Sequence, residues 1–169
     1  MAKAPPKPAA ALPPVLVVAG EELFLRNQHL AEIIRGVFGG EDPGMGLVRI
    51  DPTPHGQDAT ARILDELRTP SMFAPKKLVI VDPVDVLFKK ADEESEADDR
   101  RLTNREMLEN YVAAPAEGAT LVLVARSWPK STRLHKAIDK VGGVKWAESI
   151  KAYTAPGWIA RSSSSAPAR

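Results

Sequence analysis

The natural place for phosphate chemistry is taken by the residues Gly20-Glu21-Glu22-Leu23-Phe24-Leu25-Arg26-Asn27. They follow a short apolar run, where a mononucleotide-binding α/β domain places its phosphate loop. Such a loop needs G-x-x-x-x-G-K-[ST]: glycines for close backbone approach, a lysine for charge and a hydroxyl for magnesium. Only the first glycine is present. Glu21 and Glu22 suit the start of a helix, but they would repel a phosphate there. A G-x-G-x-x-G dinucleotide fingerprint is also missing. Asp82 ends an apolar run, as a magnesium-holding strand would. Pro83 follows it instead of an acid that could activate water, so Asp82 reads as the start of a turn. Arg126 reads as a surface arginine and not as an arginine finger. His29, His55 and His135 fall on different segments without ligand spacing, and the chain has no cysteine. The expectation is therefore no metal, no cofactor and no catalytic residue. The acids between 92 and 99 are too dense to form a tuned acid/base pair, which needs two distinct environments.

A second stretch carries a different chemistry. In Leu67-Arg-Thr-Pro-Ser-Met-Phe-Ala-Pro-Lys-Lys-Leu-Val-Ile-Val-Asp82, Met72 and Phe73 lie between Pro70 and Pro75. The prolines stop the preceding helix and stiffen the connection. A large apolar pair in such a loop is either tucked into the core or offered to a partner. Residue type alone favours the core, because apolar loop residues usually pack inward. Lys76 and Lys77 read either as a pair flanking the strand or as charges that steer an acidic partner. Lys130, Arg133, Lys136 and Lys140 form at most a modest basic face, open to weak or indirect DNA contact.

The elements that would position these residues follow from hydrophobic periodicity. Strands are expected at 15–18, 47–50, 77–81, 120–125 and 144–147, each a short apolar or β-branched run. Helices are expected between them. Leu30, Ile33, Ile34 and Val37 fall at i, i+3, i+4 and i+7, with Gly39-Gly40 ending the segment. Ile63, Leu64 and Leu67 mark a helix over about 57–68. Thr103 and Glu106 form a capping box for a helix over 103–113. Leu134, Ala137, Ile138 and Val141 mark another helix over 131–140, stopped by Gly142-Gly143. Pro156-Gly157-Trp158-Ile159 looks like the first turn of a further helix. Strands alternating with helices imply a five-stranded parallel sheet covered on both faces, with right-handed crossovers. Residues 1–14 read as a disordered Pro/Ala-rich arm, 91–101 as a solvated acidic loop, and 162–169 as a Ser-rich linker or tail.

The 169 residues suit one domain, and an apolar fraction of 44% suffices for a core. The 23 basic and 22 acidic side chains balance to a formal charge of +1, which argues against a domain built mainly to grip nucleic acid. The apolar run at 12–19 is short and is followed by Glu21-Glu22, so it does not read as a signal peptide. The lack of cysteine is compatible with a reducing cytoplasm.

The strand leading to Gly20-Glu21-Glu22-x-Phe24-Leu25, the stretch from Thr69 to Val81, the Leu121–Ala125 strand and the closing Trp158-Ile159 together resemble the N-terminal domain of the delta subunit of the bacterial DNA polymerase III clamp loader. The resemblance spans residues 15–161. It implies an AAA+-like, P-loop-NTPase-like fold without a functional phosphate loop, and a cytoplasmic role in DNA replication. It implies that the domain binds the sliding clamp (the beta subunit) and helps open the ring without hydrolysing ATP itself. Met72 and Phe73 would be the plug that enters an apolar pocket of the clamp, with Thr69 and Ser71 flanking. The family usually has leucine where Met72 stands, and methionine is close in volume. Full-length members continue into a lid and a collar domain that joins other clamp-loader subunits, and by this resemblance both are expected to be missing from these 169 residues. The alternative is a small α/β NTPase or nucleotide-dependent transferase with a divergent phosphate loop.

Overall fold

The computed structural model describes residues 11–89 and 102–148. Five strands run β1 Val15–Ala19, β2 Leu47–Ile50, β3 Lys77–Val81, β4 Ala119–Ala125 and β5 Val144–Trp146. All pairings are parallel, in the order β2-β3-β4-β1-β5. The helices are α1 Leu23–Phe38, α2 Ala59–Arg68, α3 Val86–Lys89, α4 Asn104–Ala113 and α5 Arg133–Lys140. The expected five-stranded parallel sheet with flanking helices is the observed fold. No helix among the described residues is long and apolar enough to cross a membrane.

The strand order explains the layers. The crossover from β1 to β2 runs one way across the sheet, and the three later crossovers run the other way. With right-handed connections, α1 must lie on one face and the later helices on the opposite face. The core agrees. Leu16, Val18, Leu78, Ile80, Val122 and Val124 face Leu30, Ile33 and Val37 of α1. Their neighbours Val15, Val17, Val79, Val81, Leu121 and Leu123 face Ile63, Leu67, Leu108, Leu134 and Ile138. Central strands are therefore apolar at every position but Lys77 and Thr120, because both faces are covered. Removing Ile63 or Leu108, each 0% exposed, would forfeit roughly 1.5–3 kcal/mol of transfer free energy before any cavity cost.

Local signals set the ends. Gly39 closes α1 at φ 68°, where a side chain would be strained. The Thr103–Glu106 capping box is present, and Thr132 caps α5 by accepting from the His135 N–H. The second helix begins later than expected, because residues 53–58 form a 3-10 segment kinked at Gly56. The chain also engages the sheet before β1: Leu12 packs on the α1 side, and the Pro14 carbonyl accepts from the Leu121 N–H at 2.9 Å. Those residues are held by the fold, inside the stretch expected to be an extended arm. The acidic loop 91–101, the turn at 156–159 and the tail 162–169 lie outside the described residues.

Candidate partner-binding site

Every strand of a parallel sheet starts at one end and finishes at the other, so the two stretches singled out above separate in space. The Met72–Phe73 loop precedes β3 and lies at the amino end. Gly20 to Leu25 follows β1 and lies at the carboxyl end.

At the amino end, α2 stops at Arg68. The Thr69 N–H and hydroxyl both donate to the Asp65 carbonyl, at 2.9 and 2.7 Å. The Lys77 ammonium donates to the carbonyl oxygens of Glu66 (2.6 Å) and Thr69 (2.9 Å), and it pairs with the Glu66 carboxylate. These bonds satisfy carbonyls that a helix end leaves open. The Ser71 hydroxyl accepts from the Phe73 and Ala74 amides at 3.4 and 3.1 Å, which turns the chain back. Ala74 takes the inward position. A Cβ on Gly46 would lie 3.2 Å from the Ala74 Cβ and 2.7 Å from the Lys76 carbonyl, so the loop rests directly on that glycine. Met72 and Phe73 are left outside, 91% and 82% exposed.

Two expectations from residue type are thereby corrected. Met72 and Phe73 do not enter the core, because the braced turn gives the inward place to Ala74. Lys77 is not a free charge flanking an edge. It is 7% exposed, starts a strand paired on both sides, and is consumed by the end of α2. Lys76 is exposed. Sequence reasoning missed Met45, which is 72% exposed and lines a recess of about 330 Å³ with Phe38, Pro43, Phe73 and Pro75. Its only signal was an apolar residue isolated between Gly44 and Gly46.

At the carboxyl end, two of the amides that could meet a phosphate are already used. The Gly20 N–H donates to the Ala125 carbonyl (3.1 Å) and the Glu22 N–H to the Ala147 carbonyl (3.3 Å). Glu21 and Glu22 are exposed there. Asp82 opens a turn, as expected. After β4, the Arg126 and Ser127 amides donate to the Asp85 carboxylate at 3.0 and 3.1 Å, and Arg126 is exposed. The histidines are apart: His29 meets the Trp146 carbonyl, His55 meets Arg62, and His135 accepts from the buried Trp128 indole. Among the described residues no three potential metal ligands converge.

The sequence matches the family model for DNA polymerase III, delta subunit, over residues 16–147. The chain belongs to that family. Among curated proteins none matches. Solved structures share the fold, among them the following two. The DNA clamp loader delta protein of Bacillus subtilis superposes with a TM-score of 0.62 at 22% identity, over 84% of this chain and 40% of that one. A DNA polymerase III gamma subunit-related protein of Thermotoga maritima gives 0.53 at 20% identity, over 82% and 42%. The delta-family chain described here thus spans about two fifths of the length of either structure.

Proposed function

We propose that this domain is the clamp-engaging part of a clamp-loader delta subunit. It binds the DNA polymerase sliding clamp and helps open the ring during DNA replication, and it hydrolyses no ATP itself. One observation carries the reading: Met72 and Phe73 stand almost fully exposed on a loop whose two ends are bonded down. A loop backbone already held in place loses little freedom on binding. Burying both is worth about 3–6 kcal/mol gross. Thr69 and Ser71 act as positioning residues, through the bonds that end α2 and turn the loop. Other clamp-loader subunits are partners of the full-length protein, and contact with DNA is weak or indirect.

The spent amides at Gly20 and Glu22 and the two neighbouring carboxylates weigh against the alternative of a small NTPase. A rise in melting temperature with ATP and magnesium would favour it instead.

The deciding experiment is calorimetric titration of the domain with the sliding clamp of the same organism, beside a Met72→Ala/Phe73→Ala variant. Saturable binding that the folded variant loses supports the reading. No binding by the folded wild type sinks it.

A further inference from the structure

Two loops wall the recess beside Phe73, and both are held before any partner arrives. On one side, the Glu41 N–H donates to the Phe38 carbonyl at 3.2 Å, the Gly44 N–H to the Asp42 carboxylate at 3.0 Å and the Gly46 N–H to the Pro43 carbonyl at 2.9 Å. These bonds fix the turn that leads from α1 into β2. On the other side stands the plug loop, braced through the Ser71 hydroxyl. The two loops touch at Gly46, where a Cβ would lie 2.9 Å from the Phe38 ring and 3.2 Å from the Ala74 Cβ. Between them they leave about 330 Å³.

The lining narrows the occupant. Phe38, Pro43, Met45, Phe73 and Pro75 supply apolar surface. The charged groups are Glu41 and Asp42 on one wall and Lys76 on the other, all exposed. Sites for small molecules use a few placed polar groups to fix orientation, and no buried polar side chain lines this recess. Its volume is at the small end of ligand sites, which run from about 300 to 1,000 Å³, and suits one or two side chains. Neither carboxylate has a cation partner among the described residues. Two carboxylates against one ammonium leave the mouth negative, so the matching side of a partner is basic.

Phe73 decides whose side chain enters. It belongs both to the plug and to the recess wall. A partner that buries Phe73 therefore closes over the recess as well. Interface cores pack as densely as protein interiors, and an empty space against apolar walls forfeits contacts on one side.

We propose that the recess receives an apolar side chain of the sliding clamp, with a basic residue of the clamp beside Glu41 and Asp42. The inference rests on the clamp-binding reading above and adds a contact in the opposite sense. The plug enters the clamp, and the clamp enters the domain.

The test uses the full chain labelled with ¹³C at its methionine methyls. Met45→Leu and Met72→Leu assign two of the four signals. A soluble gadolinium chelate should relax both methyls in the free chain and lose most of that effect when unlabelled clamp of the same organism is added. Protection of Met72 while Met45 stays as accessible as before overturns the inference and leaves the plug in place. No protection at either methyl sinks the clamp reading, and the inference falls with it. Protection of Met45 that grows with concentration in the absence of clamp makes a second copy the occupant and refutes the proposal. The charge is read separately. Glu41→Gln/Asp42→Asn keeps the oxygen that holds Gly44 and should weaken clamp binding about threefold to tenfold at low salt, with a shallower salt dependence. Equal affinity and equal salt dependence in the variant also overturn the proposal.

Discussion

Lys77, the first residue of β3, ties its ammonium to Glu66 in the last turn of α2. It donates to the Glu66 carbonyl at 2.6 Å and pairs with the same residue's carboxylate. The eight residues from Thr69 to Lys76 are thus bridged at their base. Lys77→Met should leave two helix-end carbonyls without their donor and destabilise the fold by about 1–3 kcal/mol, read by urea denaturation. It should also weaken clamp binding, because the loop loses its fixed ends. Lys76→Met, on an exposed side chain, should change stability by no more than about 0.5 kcal/mol. Equal stability of the two variants would remove the strap from the account.

Phe73→Ala should separate binding from folding. The ring has few contacts to lose, so the melting temperature should hold. Clamp affinity should fall by about 2 kcal/mol or more, near thirtyfold, as expected of a hot-spot residue. Met45→Ala should have a smaller effect in the same direction, because Met45 borders the recess beside Phe73. A drop in stability that matches the drop in affinity would mean that Phe73 supports the fold.

The central strands were legible because they are covered on both faces, so they read as nearly unbroken apolar runs. The capping box at Thr103 and Glu106 was legible because it is local. The short helix α3 was not, since Val86–Lys89 is one turn and one turn has no periodicity. The roles of Lys77 and Lys76 could not be told apart, because two adjacent lysines differ only in which one the strand turns toward α2. The exposure of Met72 and Phe73 was equally hidden. It depends on Ala74 meeting Gly46 from another part of the chain, and residue type alone pointed inward.

Gly20→Ala should be among the most damaging small substitutions. Gly20 sits at φ 143°, and a Cβ there would overlap the Ala147 carbonyl. Backbone strain alone costs on the order of 1–3 kcal/mol, and β5 must also move. Thermal unfolding should show a clear drop, whereas Gly40→Ala, with open space around it, should lose only the strain of its positive φ.

Acid should act at the capping box. The Glu106 carboxylate accepts from the Thr103 N–H at 2.8 Å and from its hydroxyl at 3.0 Å, which holds its pKa below the ordinary glutamate value. A depressed folded pKa gives stability that is present above the unfolded value of about 4.3. That stability is lost as pH falls through the folded value. Glu106→Gln should therefore melt below the wild type at neutral pH, and the gap should close in the acid range. A gap independent of pH would show that charge plays no part in the cap.

The bond pattern around β3 also decides how the domain carries load. Phe73 lies four residues before β3, which is bonded to β2 on one side and to β4 on the other. A pull on the loop, such as a ring under tension would exert, is passed to β3 near its starting end and along its axis. The hydrogen bonds on both edges must then shear together instead of peeling one at a time. The loop is anchored at the starting end of a strand paired on both edges, which would suit the ring-opening role proposed above.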